Sequence, residues 1–467
     1  MDRKLKILFL SALSPYHYGN LTLDMMQALE QKGHEVDYLT LNGFKGQEKN
    51  MFSLKDRTFG EKFLDFLRSF KISAAIRRYL RSKRKRRRKS GPFIRKDGWI
   101  MVNYDETKSP CNEDVLLNLI CKEYDLVITH IWERMISART LLAVYEKLKS
   151  PIIICPADTY PFAGGCQYFG SCKRYMHECG RCPILGSNDE HDQTYRNFLY
   201  KRKVYETIPC ALLTNSYMMN IAHEAKMFAK SIKVKTIYTL NENVFKPYDV
   251  LDSRRHLKIP NDKAFVMFAR FVSPEKSPRK GLDILFDAVN GFCQRLEVSE
   301  LKKICMVFAG DDCSEYMSAL PITIINLQKL NTSDLIKTYS AATVFLSPSI
   351  DDAGPSMVNQ SIMCGTPVVC FNIGTAIDVI KHKENGFKAR LGNVNDFEDG
   401  LYYYYKMNQS TFKELRCNIR NNAVELQSLV SYADKIENTY YKLSQLGNSA
   451  NSSNCRVECV SKSDEHR

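Results

Sequence analysis

The sequence predicts an α/β protein of two Rossmann-like, doubly wound domains facing each other across a cleft, and three observations carry that prediction. The chain has 467 residues, more than a single hydrophobic core comfortably serves. Short apolar runs of strand length alternate with stretches of helical periodicity, the pattern of parallel sheets covered on both faces. Finally, residues 343–370 read as strand, loop, short helix, glycine, strand. Thr343 to Leu346 is the first strand, Ser347 to Asp352 its loop, and Gly354-Pro355 the helix start. Gly365 is the stop, and Thr366-Pro367-Val368-Val369 enters the next strand. Such a loop and helix N-terminus at the carboxyl edge of a parallel sheet is where α/β proteins bind ligands, and its free amides suit a phosphate.

The first domain is expected over 1–244. Lys6 to Leu10 is its first strand, Ser11 to Asn20 a loop, and the helix that follows carries Leu23, Met26 and Leu29 on one face and closes at Gly33. Val36 to Leu41, Tyr124 to His130, Pro151 to Cys155 and Leu212 to Ser216 supply further strands. Residues 59–80 form an amphipathic helix, with Phe59, Phe63, Phe66, Leu67, Phe70 and Ala74 at helical spacing. Directly after it, Arg77, Arg78, Arg81 and the run Lys83 to Lys89 place ten cations with no acidic residue among them. Removing these ten from the net +15 leaves about +5, so the basicity is a local patch. Aromatics beside such a run, over 59–89, fit an interfacial segment on anionic lipid. The bland alternatives are a core helix with a solvated loop, or a nucleic-acid or nuclear-localisation patch.

Within 156–187, Cys166, Cys172, Cys179 and Cys182 make C-x5-C-x6-C-x2-C. Four thiolates so close in sequence can close a tetrahedral, structural zinc site; free thiols in a loop are the alternative. The second domain is expected over 245–446, opening with the strand Ala264 to Arg270 and continuing through Cys305 to Gly310, Ile322 to Ile325 and Val368 to Phe371. Helices from Asp396 to about Leu446 finish it, and the Ser/Asn-rich 447–467 is expected to be disordered.

Apolar content of 44% and charged content of 25% are those of a globular protein, and no apolar run reaches the length of a membrane span. Basic residues precede the short apolar core Ile7–Leu13, but no small-residue cleavage site follows, so the opening reads as a strand and not as a secretion signal. Sixteen cysteines without such a signal fit reduced thiols of the cytosol.

The 343–370 stretch resembles the nucleotide-sugar signature of glycosyltransferase family 4, retaining enzymes of the GT-B fold. That signature is Pro-Ser, two residues, Glu, seven residues, Glu, then a small-residue helix ending in Cys-Gly-Thr-Pro-Val-Val. Pro348-Ser349 and Cys364 to Val369 match it; the glutamate positions fall on Asp352 and Gln360. Asp352 keeps the charge on a shorter arm, and Gln360 keeps hydrogen bonding to ribose hydroxyls without charge. The resemblance implies that Arg270 and Lys280 bind the donor diphosphate, and that Gly354 and Ser356 meet the donor at the helix N-terminus. It implies too that Gly19 lets backbone approach the donor and that His130, spaced from Asp125 as in the family, reaches the transferred sugar. Catalysis would then need no metal, because Lys and Arg stabilise the leaving diphosphate. His130, Lys280 and Asp352 are the expected catalytic residues.

Other segments resemble the family more loosely. Asn241, Phe245 and Pro247 match its linker, and Gly374-Thr375, Asp378 and Asn385-Gly386 a later segment; the last helix of such enzymes returns to the first domain. The cysteine segment is similar to an insert in bacterial members that build exopolysaccharide or lipopolysaccharide, with Ala157 in place of the usual His and Asp158 kept. The resemblance therefore implies hexosyl transfer with retention to a glycan or polyprenyl-diphosphate-linked acceptor at the cytoplasmic membrane face. A non-catalytic nucleotide-sugar or glycan-binding protein is the alternative, and a nucleic-acid-binding protein a more distant one.

Overall fold

The structure is a computed structural model and describes residues 3–14, 21–41, 50–54, 94–96, 99–102, 105–273, 277–312 and 314–460. Gly19 and the amphipathic, basic segment 59–89 lie outside the described residues.

Among the described residues, nine strands belong to the first domain: β1 (Lys6–Ser11), β2 (Glu35–Thr40), β3 (Met51–Ser53), β4 (Ile94–Lys96), β5 (Trp99–Met101), β6 (Leu126–Thr129), β7 (Ile152–Ile154), β8 (Cys210–Thr214) and β9 (Ile232–Lys235). Seven of them form an all-parallel sheet in the order β3-β2-β1-β6-β7-β8-β9, while β4 and β5 pair as a separate antiparallel ribbon. Its central strands are apolar throughout, because helices cover both faces: every residue of β6, β7 and β8 is buried. The edge strand β9, Ile-Lys-Val-Lys, is only half-buried and carries the lysines that blunt an edge.

The second domain holds β10 (Phe265–Phe271), β11 (Ile304–Gly310), β12 (Thr323–Asn326), β13 (Val344–Ser347), β14 (Val368–Phe371) and β15 (Gly386–Ala389). They make a parallel sheet in the order β12-β11-β10-β13-β14-β15. In each sheet the chain reverses its direction of growth once. β1 lies between β2 and β6 in the first sheet, and β10 between β11 and β13 in the second. Ligands of doubly wound sheets bind in the crevice that such a reversal opens at the carboxyl ends.

The chain passes between domains twice. The first passage follows β9. The second leads into the helix Leu429–Val460, which packs on the helix Leu21–Gln31 and ties to it through Lys32 with Glu437 at 3.0 Å and His34 with Glu437 at 2.9 Å. That helix continues to Val460, into the stretch 447–467 whose Ser/Asn content predicts disorder; residues 461–467 lie outside the described residues. Adding residues to an existing helix costs far less than nucleating one, and Ser and Asn only mildly oppose it. Among the described residues, no helix is long and apolar enough to cross a membrane.

Candidate active site

The site grows from the reversal between β10 and β13. Strand β10 carries the exposed Arg270 just before its last residue, Phe271, and its loop returns through Arg279, Lys280 and Gly281 into the helix Leu282–Gln294. Gly281 has φ +68°, and a Cβ there would lie 2.0 Å from the Pro348 carbonyl oxygen; only glycine lets the two loops touch. The Ile350 amide donates to the Arg279 carbonyl at 2.9 Å, zipping the β10 loop to the β13 loop. The β13 loop then delivers Asp352 and Gly354 to the helix Ser356–Met363. Pro355 is the residue capping that helix, not its first turn, and no side chain caps it, so its leading amides stay available. Two helix N-termini thus flank one pocket of cations.

Lys280 is ion-paired with Asp352, and Arg279 Nη1 approaches the same carboxylate at 3.3 Å. The resemblance implies that Lys280 binds the diphosphate; here it is in contact with Asp352. Burial opposes ionisation of Asp352, but Lys280 and Arg279 outweigh it and hold the carboxyl below its usual range. Burial also lowers the Lys280 ammonium despite Asp352, and the nearby Arg270 and Arg279 charges add to that. Arg270, Arg279 and Lys280 therefore form one cationic cluster, neutralised in part by a single buried carboxylate.

Across the cleft stands His130, just past β6, at the reversal of the first sheet. It is 3% exposed, and burial drops its pKa to about 4, so the ring is neutral at physiological pH. Nδ1 lies 2.8 Å from the Cys155 carbonyl, which can only accept; Nδ1 therefore carries the proton and Nε2 is left as an acceptor. Tyr238 packs edge-on against the ring at 5.9 Å. Asp158 lies nearby, held by Gln167 Nε2 at 2.7 Å and the Tyr160 amide at 3.0 Å, with its pKa pushed up to about 6 by burial.

The cysteine insert reaches this site directly. The Tyr168 ring lies 3.7 Å from the Arg279 guanidinium, and the Gly170 amide donates to Asp351 Oδ2 at 3.0 Å. Beside it, Asn215 Nδ2 donates to the Ala353 carbonyl at 2.7 Å, while Asp378 accepts from the Ser216 amide at 2.7 Å and pairs with Lys235 at 2.6 Å. Asp378 is thus spent on joining the domains.

Of the expected residues, Arg270, Lys280, Asp352, Gly354, Ser356 and His130 converge on the cleft. Gln360 does not offer itself to a ribose: it is 3% exposed, and its carbonyl oxygen accepts from the Tyr339 hydroxyl at 3.1 Å. A short helix whose inner face packs on the sheet turns that position inward. Sequence reading missed Arg279, Asp351, Tyr168 and Tyr238. Arg279 and Asp351 had a signal in their adjacency to Lys280 and Asp352, whereas Tyr168 and Tyr238 are brought in only by the long-range packing of the insert and linker. Cys166, Cys172, Cys179 and Cys182 line one cavity in the insert, although among the described residues no three His, Cys, Asp or Glu side chains converge as ligands of one ion.

Two facing doubly wound sheets, with a cationic reversal point in the second and a neutral histidine at that of the first, define the GT-B fold. Residues 250–425, which carry the cationic cluster, match the profile of the family Glycosyl transferases group 1. The chain is similar to an uncharacterized glycosyltransferase of Methanocaldococcus jannaschii, 24% identical over 240 residues, which cover 48% of this chain and 57% of that relative. The match therefore spans little more than half of the curated relative's length. Among solved structures, sucrose-phosphate synthase of Thermosynechococcus elongatus superposes with TM-score 0.62 at 14% identity, covering 95% of this chain and 100% of that one. HepE of Anabaena in complex with UDP-glucose superposes with TM-score 0.59 at 14% identity, over 94% and 100% of the two chains. At such identities the likeness concerns the fold.

Proposed function

We propose that this chain is a retaining glycosyltransferase that moves a hexosyl group from a nucleotide diphosphate sugar to a glycan or polyprenyl-diphosphate-linked acceptor. The observation that carries the reading is the gathering of Arg270, Arg279 and Lys280 between two helix N-termini at the carboxyl edge of the second sheet. A departing nucleoside diphosphate carries two to three negative charges, and a preorganised set of cations and amide dipoles stabilises it as it forms. The match of 250–425 to Glycosyl transferases group 1 supports the same reading, as does the fold shared with a protein solved with UDP-glucose.

In this reading Lys280 and the two arginines hold the diphosphate. Asp352 faces the sugar once the phosphate competes for its cations, and His130 Nε2 accepts from a hydroxyl of the transferred sugar. The charges a metal would otherwise neutralise are met by the side chains, so turnover should persist in EDTA. The acceptor binds the first domain, which the basic run at 83–89 draws to the anionic, cytoplasmic face of a membrane, a setting suited to surface-polysaccharide synthesis.

The test is turnover of a nucleotide-sugar panel, beginning with UDP-glucose, with lipid-linked and free glycan acceptors and proton NMR of the product anomer. Release of nucleoside diphosphate with a product of unchanged anomeric configuration supports the proposal. Donor binding without turnover on any acceptor would favour a non-catalytic nucleotide-sugar-binding protein instead.

A further inference from the structure

We propose that Cys166, Cys172, Cys179 and Cys182 hold one zinc ion as a tetrahedral thiolate site, and that this ion pins the strap that reaches the second domain. The four side chains come from three turns of chain and line a single cavity beside Gly164 and Thr194. Cys166 is anchored through an isolated bridge to Met101, at the end of the ribbon β4–β5, so the segment is fixed at its root.

Three features of the cavity call for a cation bound by sulfur. First, backbone donors are aimed at the thiols. The Gly164 amide lies 3.3 Å from Cys179 Sγ, and the amides of Ile184 and Leu185 face Cys182. Amides on sulfur are the usual outer partners of metal thiolates and gain little from a neutral thiol. Second, Glu178, Cys179, Gly180 and Arg181 have φ of 67°, 65°, 82° and 43°. Three of these are non-glycine residues in the left-handed region, at a cost of about 1–2 kcal/mol each, in a tight knuckle that brings Cys179 and Cys182 to the same cavity. Third, Lys201 is wholly buried behind the insert, within electrostatic reach of Cys166 and Cys179. Its ammonium donates to the carbonyls of Tyr160 at 2.7 Å and Ala163 at 2.9 Å and stands 3.5 Å from Glu106. Binding releases four protons to solvent and leaves a ZnS4 centre of net charge −2, which Lys201 and the cavity-lining Arg174 offset.

The thiols share the cavity wall without converging, so loading draws the sulfurs inward to the Zn–S distance of about 2.3 Å. Between the first two ligands lie Tyr168, stacked over Arg279, and Gly170, bonded to Asp351. The ion therefore fixes a part of the insert that touches the donor loop. This inference stands on the insert alone and does not require glycosyl transfer.

The full chain, purified in reducing buffer without chelator, should contain about one zinc by elemental mass spectrometry, and Cys179→Ser with Cys182→Ser should lower it to about a tenth or less. Cobalt(II) supplied to the zinc-stripped parent should give the intense absorption of a tetrahedral thiolate complex, a readout that needs no variant to fold. Less than about a tenth of a zinc in folded parent with no such cobalt spectrum, zinc retained by the double variant, or disulfides joining these cysteines by non-reducing peptide mass spectrometry would each overturn the proposal.

Discussion

Replacing Lys280 by Met keeps the length of the arm and removes its charge. In the structure that charge neutralises Asp352, a carboxylate only 4% exposed, and stands beside Arg270 and Arg279 where the diphosphate would sit. Two unit charges about 4 Å apart in an effective dielectric of about 20 interact by about 4 kcal/mol. Arg279, 3.3 Å from the same carboxylate, recovers part of the loss. About 2–4 kcal/mol of transition-state stabilisation is then forfeited, or about 30- to 1000-fold in kcat/KM. Because the charge acts on bound diphosphate as well as on the leaving group, affinity for UDP falls too. Asp352→Asn is the counter-perturbation: it removes the anion that competes for these cations, so UDP binds as tightly as to the parent or more tightly while transfer slows. Calorimetry with UDP beside initial rates with UDP-glucose reads both variants, and thermal melts confirm that each is folded. Parent-like UDP affinity in Lys280→Met would show that the diphosphate lies elsewhere.

Other expectations follow from individual residues. Gly281→Ala places a Cβ 2.0 Å from the Pro348 carbonyl at a positive φ, and should cost more than about 2 kcal/mol in urea unfolding; a parent-like midpoint would contradict the loop geometry. Asp24 is buried and its pKa is raised by that burial to about 7, so its contribution to stability is full below about pH 4 and is lost as pH rises through 7. Asp24→Asn should accordingly raise Tm relative to the parent at pH 8, with the gap closing toward pH 4; an equal gap at both pH values would refute this. Gln360→Glu would bury a carboxylate against the Tyr339 hydroxyl, so it should lower Tm without tightening UDP-sugar binding, and tighter binding would restore the position to the ribose. Tyr168→Leu removes the ring from Arg279 and should raise the KM for the donor several-fold, about 1 kcal/mol, with kcat nearly kept.

The sheets were legible because parallel strands buried on both faces write themselves as unbroken apolar runs, as in Ile152–Ile154 or Phe265–Phe271. Five strands escaped: β3, β4 and β5 are only three residues long, and two others were missed for the converse reason. Strand β9 alternates with lysine at an edge, and β15 opens on glycine, so neither carries the β-branched density that marks a central strand. At the site, the resemblance singled out Lys280, Asp352 and His130 as candidates. What it could not locate was the pairing of Lys280 with Asp352, or the inward turn of Gln360. Those depend on which loop touches which, through Gly281 on Pro348 and Tyr339 beneath the helix Ser356–Met363. The strap across Arg279 was illegible for the same reason, since residues 168 and 279 meet only after both domains have formed.

The two passages between the domains do not run apart. Where they cross, the Thr239 hydroxyl donates to the Gln427 carbonyl at 2.9 Å and the Leu240 amide reaches the same oxygen at 3.3 Å. Two chain segments bonded to one carbonyl at a crossing hold the two passages together as one junction. Any opening of the cleft about this junction has to part the Gly170–Asp351 and Asn215–Ala353 contacts. The same feature defeats any attempt to cut the chain into its halves at residue 245. The amino-terminal piece would lose Leu429, Tyr432, Ala433, Ile436, Tyr440 and Leu443, all buried in the intact chain, and would present to solvent the apolar groove that this helix seals.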